Sequence, residues 1–211
     1  MPYDESDLAA LASSRICHDL ASPVGAALTG LEFVADVPGG AGPDELTLLR
    51  DSLTGARATL EMLRLAFGRA GAGEVLDARA LGGVVRRHLA ARPRLALDWA
   101  LDGALARADA QPVALAVLCA AQALPRGGTL AVARPGPAGV TVTATVTANG
   151  DLAADPGLWD GLAGRAPLPA ADPRRIEFSL LAARITASNA RIEVSVTTQI
   201  LTITLIWPAR D

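Results

Sequence analysis

Ser13–Phe33 reads SSRICHDLASPVGAALTGLEF, and the period of its apolar residues decides how the first third of the chain folds. At about 100° per residue, Ala9, Ser13, Ile16, Leu20, Val24, Ala27, Leu31 and Val34 gather in one broad stripe. That stripe predicts a helix from about Ser6 to Ala35, with Asp4, Ser6 and Asp7 as caps or first-turn acids. His18 points about 160° away from the stripe centre, so it faces outward and not into a core. Its neighbours on the wheel are Ser14, Ala21, Ser22 and Gly25, mostly small residues that leave room for another protein to approach. Pro23 stands just over one turn further on. Inside a helix it removes the hydrogen bond to the carbonyl of Asp19 and costs roughly 3 kcal/mol. Packing alone does not account for such a proline beside an outward histidine and an acid; the plain alternative is a bend in a bundle helix.

Working outward, VPGGAGP (Val37–Pro43) reads as a turn. Pro43, Asp44 and Glu45 then open a second helix, with proline early and acids in the first turn. Leu46, Leu49, Leu53, Ala56, Leu60, Leu63 and Phe67 alternate by threes and fours until GRAGAGE (Gly68–Glu74) ends the run. Residues 1–72 are therefore expected to form an antiparallel helical hairpin. Two helices alone leave much of an apolar stripe in water. Two hairpins paired into a four-helix bundle cover it, which predicts a homodimer.

Residues 73–211 change pattern and are expected to form a second domain. Leu76–Ala91 reads as a helix, RLALDWAL as a strand with Leu95, Leu97, Trp99 and Leu101 alternating, and Gln111–Leu124 as a buried helix ended by Pro125 and Gly127-Gly128. TLAVAR and GVTVTATVTA follow as strands, the second with Val140, Val142, Ala144 and Val146 on one face. A Gly- and Pro-rich stretch carries a short helix around Trp159; Arg174–Ser188 is a helix, and ARIEVSVT with ILTITLIWP closes a hairpin. The fold class expected is α+β: a helical hairpin followed by a two-layer α/β sandwich.

Composition removes several classes of function. The chain has 211 residues, 51% of them apolar, and a formal net charge of −3, which fits small globular domains and not a basic nucleic-acid binder. All 19 of its basic residues are arginine, so lysine chemistry such as a Walker or Schiff-base lysine is excluded. Cys17 and Cys119 lie far apart with no metal-ligand spacing or disulfide framework, which points to a reducing cytoplasm. The acidic N-terminus lacks the order of a signal peptide, and no apolar run reaches the roughly 18 residues of a membrane span.

No second histidine stands three or four residues from His18, and Cys17 faces elsewhere, so a metal site there is weak. His88, in VVRRHLAARP, reads as a solvated helix residue. What remains for His18 is a bland surface position or a reactive one.

His18-Asp19-Leu20-Ala21-Ser22-Pro23 resembles the H-E/D-x-x-[ST]-P box of histidine-kinase dimerisation helices, in which the histidine is phosphorylated on a dimeric hairpin. LAVLCAAQALPRGGTLAV resembles the asparagine-box helix of the kinases' ATP-binding domain, and LAARITASNARIEVSVTTQILTITLIWP its last helix and closing hairpin. The nucleotide chemistry is missing. Cys119 stands at the position of the magnesium-binding asparagine, with Leu115 one turn earlier; TANGDL has Ala148 for the acid of D-x-G-x-G and keeps only Gly150; DPRRIEFSLL replaces the last glycine box. A thiol is a poor ligand for a hard cation.

That combination resembles the ChpT-type bacterial histidine phosphotransferases. The resemblance implies that His18 takes a phosphoryl group from one response-regulator receiver aspartate, including that of a hybrid histidine kinase, and passes it to another. It implies Asp19 as the partner of the imidazole, and the position of Arg15, one helical step from His18, suits it to offset phosphate charge; each is alternatively a solvated side chain. Ser14, Ala21, Ser22, Pro23 and Gly25 would form the docking surface. No cofactor is expected on this chain, magnesium is expected from the partner receiver, and no nucleic acid or membrane is expected as a partner. The competing readings are a non-catalytic adaptor of a two-component kinase and an active histidine kinase with an atypical ATP pocket.

Overall fold

The structure, a computed structural model, describes residues 5–36, 42–71, 73–135 and 141–208. Asp4, positions 37–41 of the expected turn, and Val140 lie outside the described residues. The apolar periodicity read from the N-terminal third appears as two helices, α1 (Glu5–Asp36) and α2 (Pro43–Phe67), packed along each other. Pro23 lies inside α1, which continues through it. No helix among the described residues is long and apolar enough to cross a membrane.

The predicted stripes divide between two surroundings. Ala27 of α1 and Ala56 and Leu63 of α2 are buried, whereas Val24, Leu31, Leu46, Leu53 and Leu60 remain exposed, as does Leu28, which the stripe did not include. The C-terminal end of α2 is covered on more sides. Met62, Leu65 and Ala66 join the core of the second domain, where α2 meets α3 (Ala78–Leu89) and α4 (Arg107–Gln122). Helix ends leave carbonyls without intrahelical partners. Here the fully buried Gln111 of α4 donates through Nε2 to the carbonyls of Leu65 (3.3 Å) and Gly68, and Arg107 donates to that of Arg64 (3.1 Å). The base of the hairpin is thereby tied to the body.

That body has two layers. A five-stranded sheet runs β2 (Leu95–Ala100), β4 (Gly128–Ala133), β5 (Thr141–Ala148), β7 (Ile200–Ile206), β6 (Arg191–Val196), with only the β2–β4 pair parallel. Period-two alternation puts Val142, Ala144 and Val146, with Leu201, Ile203 and Leu205, on the buried face. The opposite face carries threonines, and Thr145 and Thr202 share a hydroxyl hydrogen bond of 3.3 Å across the ladder. Helices α4 and α6 (Ile176–Ala187) cover the buried face; α4 is buried on every side from Ala110 to Ala121, a run that is apolar apart from Gln111. The short α5 (Pro156–Leu162), expected around Trp159, sets that indole edge-on to Phe178 of α6, with ring centres 4.9 Å apart.

Three boundaries differ from the sequence reading. The helix expected from Leu76 begins at Ala78, because Val75–Asp77 forms β1, paired antiparallel with β3 (Ala104–Ala106). Asp77 then caps α3 by accepting from the Ala80 amide at 2.9 Å. Helix α4 begins at Arg107 and not at Gln111, so Pro112 lies within it. The final helix is preceded by a 3-10 turn, Pro173–Arg175, capped by Asp172. At Gly82 the close approach of α3 to β2 requires glycine, since a Cβ there would stand 2.6 Å from the Trp99 indole.

Candidate functional site

Helix α1 presents His18 to solvent with its side chain 74% exposed. The ring is nonetheless held: Nδ1 lies 3.1 Å from Oδ1 of Asp19. Adjacent helical residues do not ordinarily face one another, and Asp19 is turned toward the ring while its other oxygen is engaged elsewhere. Oδ2 of Asp19 pairs with Nε of Arg15 at 2.8 Å, one helical turn back. Arg15 reaches on to the body, donating through Nη1 to the Arg174 carbonyl (3.0 Å) and placing Nη2 3.8 Å from Oε1 of Glu177. Glu177 of α6 is only 2% exposed and also accepts from Nε2 of Gln122 on α4 at 2.5 Å. Burial raises the pKa of this carboxyl, and the Arg15 charge opposes the rise. A continuous polar chain therefore runs from the exposed imidazole through Asp19, Arg15 and Glu177 to Gln122.

A carboxylate accepting at Nδ1 fixes the imidazole tautomer. This contact favours the tautomer with the hydrogen on Nδ1 and the lone pair on Nε2. The expected supporting residues sort by environment: Ser14, Ala21, Ser22 and Gly25 are exposed, while Arg15, Asp19 and Pro23 are half-buried. Arg15 and Asp19 are thus paired in the structure and not free solvated charges.

A cleft of about 260 Å³ opens beside His18 between the hairpin and the body, with Asp19, Ser22, Thr59, His88 and Glu177 among its walls. His88 corrects the sequence reading, which left it solvated. It is half-buried, and its Nδ1 is enclosed without a hydrogen-bond partner among the described residues. Burial, with the Arg92 charge beside it, pushes its pKa down to about 4. No local pattern marks this, because the residues that enclose it come from other helices. Glu177 did leave a signal: Leu181 and Ile185 stand four and eight residues on and are buried, so an acid at 177 occupies the buried face of an amphipathic helix.

The His88 environment predicts an acid sensitivity. In the unfolded chain a histidine takes up its proton near pH 6.5, and in the fold only near pH 4, so stability falls as pH drops between these values. The shift corresponds to about 3 kcal/mol at most. Urea midpoints measured at pH 7 and pH 4.5 should move closer together in His88→Gln than in the parent; an unchanged gap would remove His88 from the account.

Two of the positions compared above with nucleotide-binding residues lie in the core. Leu115 and Cys119 are fully buried inside α4, and burial raises the Cys119 thiol well above its ordinary value. No cluster of three or more His, Cys, Asp or Glu able to hold a metal ion occurs among the described residues.

With this geometry established, similarity to known proteins can be stated. Residues 78–200 match the family model of the histidine phosphotransferase C-terminal domain. The protein phosphotransferase ChpT of Brucella abortus (strain 2308) is 39% identical over 130 residues, which span 60% of this chain and 60% of that relative. A solved bacterial phosphotransferase superposes with a TM-score of 0.81 at 27% identity, covering 97% of this chain and 98% of the other.

Proposed function

This chain belongs to the histidine phosphotransferase family through its C-terminal domain, and from that premise we propose that it carries phosphoryl groups between receiver-domain aspartates on His18. The observation that supports this most directly is the exposed imidazole with Asp19 at Nδ1 and Nε2 free. In the forward step the Nε2 lone pair attacks phosphorus of an aspartyl phosphate. A P–N bond forms, the P–O bond to the carboxylate breaks, and the carboxylate leaves with the electron pair. The imidazole becomes cationic as the P–N bond forms, and Asp19, accepting the Nδ1 hydrogen, offsets that charge. The second step is the reverse, with a different aspartate as acceptor.

Arg15 holds Asp19 in place, and Glu177 with the Arg174 carbonyl holds Arg15, so the second domain acts on the histidine by orienting its partner. Phosphoryl transfer depends mainly on in-line positioning and charge neutralisation. Magnesium and the acidic pocket are expected from the receiver, and the chain is read as a phosphotransferase without autokinase activity. The test is incubation with a receiver carrying labelled aspartyl phosphate. Label should move to the parent chain as an acid-labile, base-stable adduct and then to a second receiver. Label acquired from ATP alone, without a receiver, would overturn the reading.

Docking is read from the small residues around His18. The space beside Gly25 is open, with nothing within 4 Å of a Cβ placed there. Gly25→Trp should therefore fold and yet slow transfer from the receiver at least tenfold, and Ala21→Trp should do the same. Normal transfer by both would show that receivers approach from elsewhere.

The working unit is proposed to be a homodimer. On a helical wheel, the exposed Val24, Leu28 and Leu31 of α1 and Leu46, Leu53 and Leu60 of α2 fall on the same side of the antiparallel pair. Two such faces together make a four-helix bundle with His18 at its flank.

A further inference from the structure

Next to the histidine cleft lies a second, larger one of about 530 Å³, bounded by α1, the α3–β2 connection, the C-terminal end of α4 and the 3-10 turn. Its walls bring together Arg15, Arg92, Arg94 and Arg174, and no acidic side chain lines it. The Arg15 charge is met by Asp19 and Glu177; in a chain with net charge −3, the other three arginines around one concavity are a local inversion of sign. Like charges along low-dielectric walls repel one another and focus a positive potential into the space between them.

The four are not equally engaged. Arg92 donates to the Ala121 carbonyl at 3.0 Å, which fixes the α3–β2 connection to α4. Arg15 is committed to Asp19 and the Arg174 carbonyl. The guanidinium groups of Arg94 and Arg174 take no hydrogen bond or ion pair among the described residues. They are two free forks, and a guanidinium fork matches phosphate oxygens in pairs. Between the arginines the wall is mostly apolar, formed by Pro93, Leu95, Leu124 and Pro125 together with Gln122. The volume exceeds what a single phosphate fills and falls in the range of small-molecule sites.

We propose that this arginine-lined cleft binds a diphosphate group, with Arg94 and Arg174 as its direct ligands and Arg92 as a fixed neighbouring charge. The diphosphate is carried either by free pyrophosphate or by a nucleoside diphosphate whose base lies on the apolar wall. The site differs from the one the kinase-like fold would use, since Leu115, Cys119, Ala148 and Gly150 do not line it.

Calorimetric titration of the full chain with pyrophosphate and, separately, with ADP in magnesium-free buffer tests this without any phosphotransfer reaction. At least one of the two should bind with a dissociation constant below about 1 mM. Arg94→Ala and Arg174→Ala should each weaken binding about tenfold or more, the scale of a lost charge-assisted hydrogen bond, and the double variant should abolish it. Arg79→Ala removes the same charge from an exposed site on α3 outside the cleft and should leave binding unchanged. Tighter binding of ADP than of pyrophosphate assigns the apolar wall to a base, and equal or weaker binding assigns the site to the free diphosphate. Absence of binding by both ligands, binding that survives the double variant, or equal weakening by Arg79→Ala overturns the proposal.

Discussion

His18→Ala should abolish phosphotransfer between receivers, with a loss of about a thousandfold or more, as expected when the sole nucleophile of a covalent step is removed. Nothing beside it in the structure can substitute. The imidazole of His88 lies in the same cleft but is half-buried, with its Nδ1 enclosed. Cys17 is exposed, yet one helical position places it about 100° around α1 from His18. The loss should not reflect unfolding. A side chain 74% exposed contributes little to stability, and surface substitutions commonly fall within about 0.5 kcal/mol, so the variant should melt within about a degree or two of the parent. Receiver-to-receiver transfer of label, measured together with a thermal melt, checks both halves. Label retained on the alanine variant would place the nucleophile elsewhere. A second comparison separates reactivity from orientation. Asp19→Asn leaves the Nε2 lone pair in place but removes the carboxylate that fixes the tautomer and offsets the developing charge, so it should slow transfer without abolishing it.

The histidine and its neighbours were legible because they lie on one helix, where a period of 3.6 fixes which residues share a face. The same periodicity located α1 and α2 within a residue or two. It did not separate the two fates of an apolar stripe: Ala27 faces α2, and Val24 and Leu31 face water. The strands β2, β4, β5, β6 and β7 were legible from alternation over six residues or more. The ladder of β1 with β3 was not, because each strand has three residues and is defined by pairing with a partner almost thirty positions away. The enclosure of His88 and the partners of Glu177 were hidden for a related reason. A helix sequence shows which face is apolar but not which side chains from other helices close over it, and Arg15 meets Glu177 across 162 positions of chain. The proposed nucleophile and its Asp19 and Arg15 neighbours were local in sequence; the Glu177 and Gln122 contacts that extend from them were not.

Leu53→Arg combined with Leu60→Arg should convert the proposed dimer to a monomer, weakening association by about ten thousandfold or more. Both leucines are exposed in the single chain, at 53% and 40%, so the substitutions cost the hairpin itself little. In a four-helix bundle each would be buried, and a fully buried leucine contributes about 1.5–3 kcal/mol. Two per protomer give four per dimer, and the replacement also drives four like charges into the seam. The parent should therefore sediment at about twice the chain mass of 21.6 kDa, and the double variant at the chain mass, with unchanged helical circular dichroism. The control is Leu48→Arg. Leu48 is the more exposed, at 69%, but it lines a separate apolar depression with Phe33 on the other side of the hairpin. If exposed apolar area alone drove association, Leu48→Arg would be at least as disruptive. If the seam follows Leu46, Leu53 and Leu60, it should leave the dimer intact. A double variant that still sediments as a dimer would move the interface to the Phe33–Leu48 side, and with it the face of the bundle from which a receiver reaches His18.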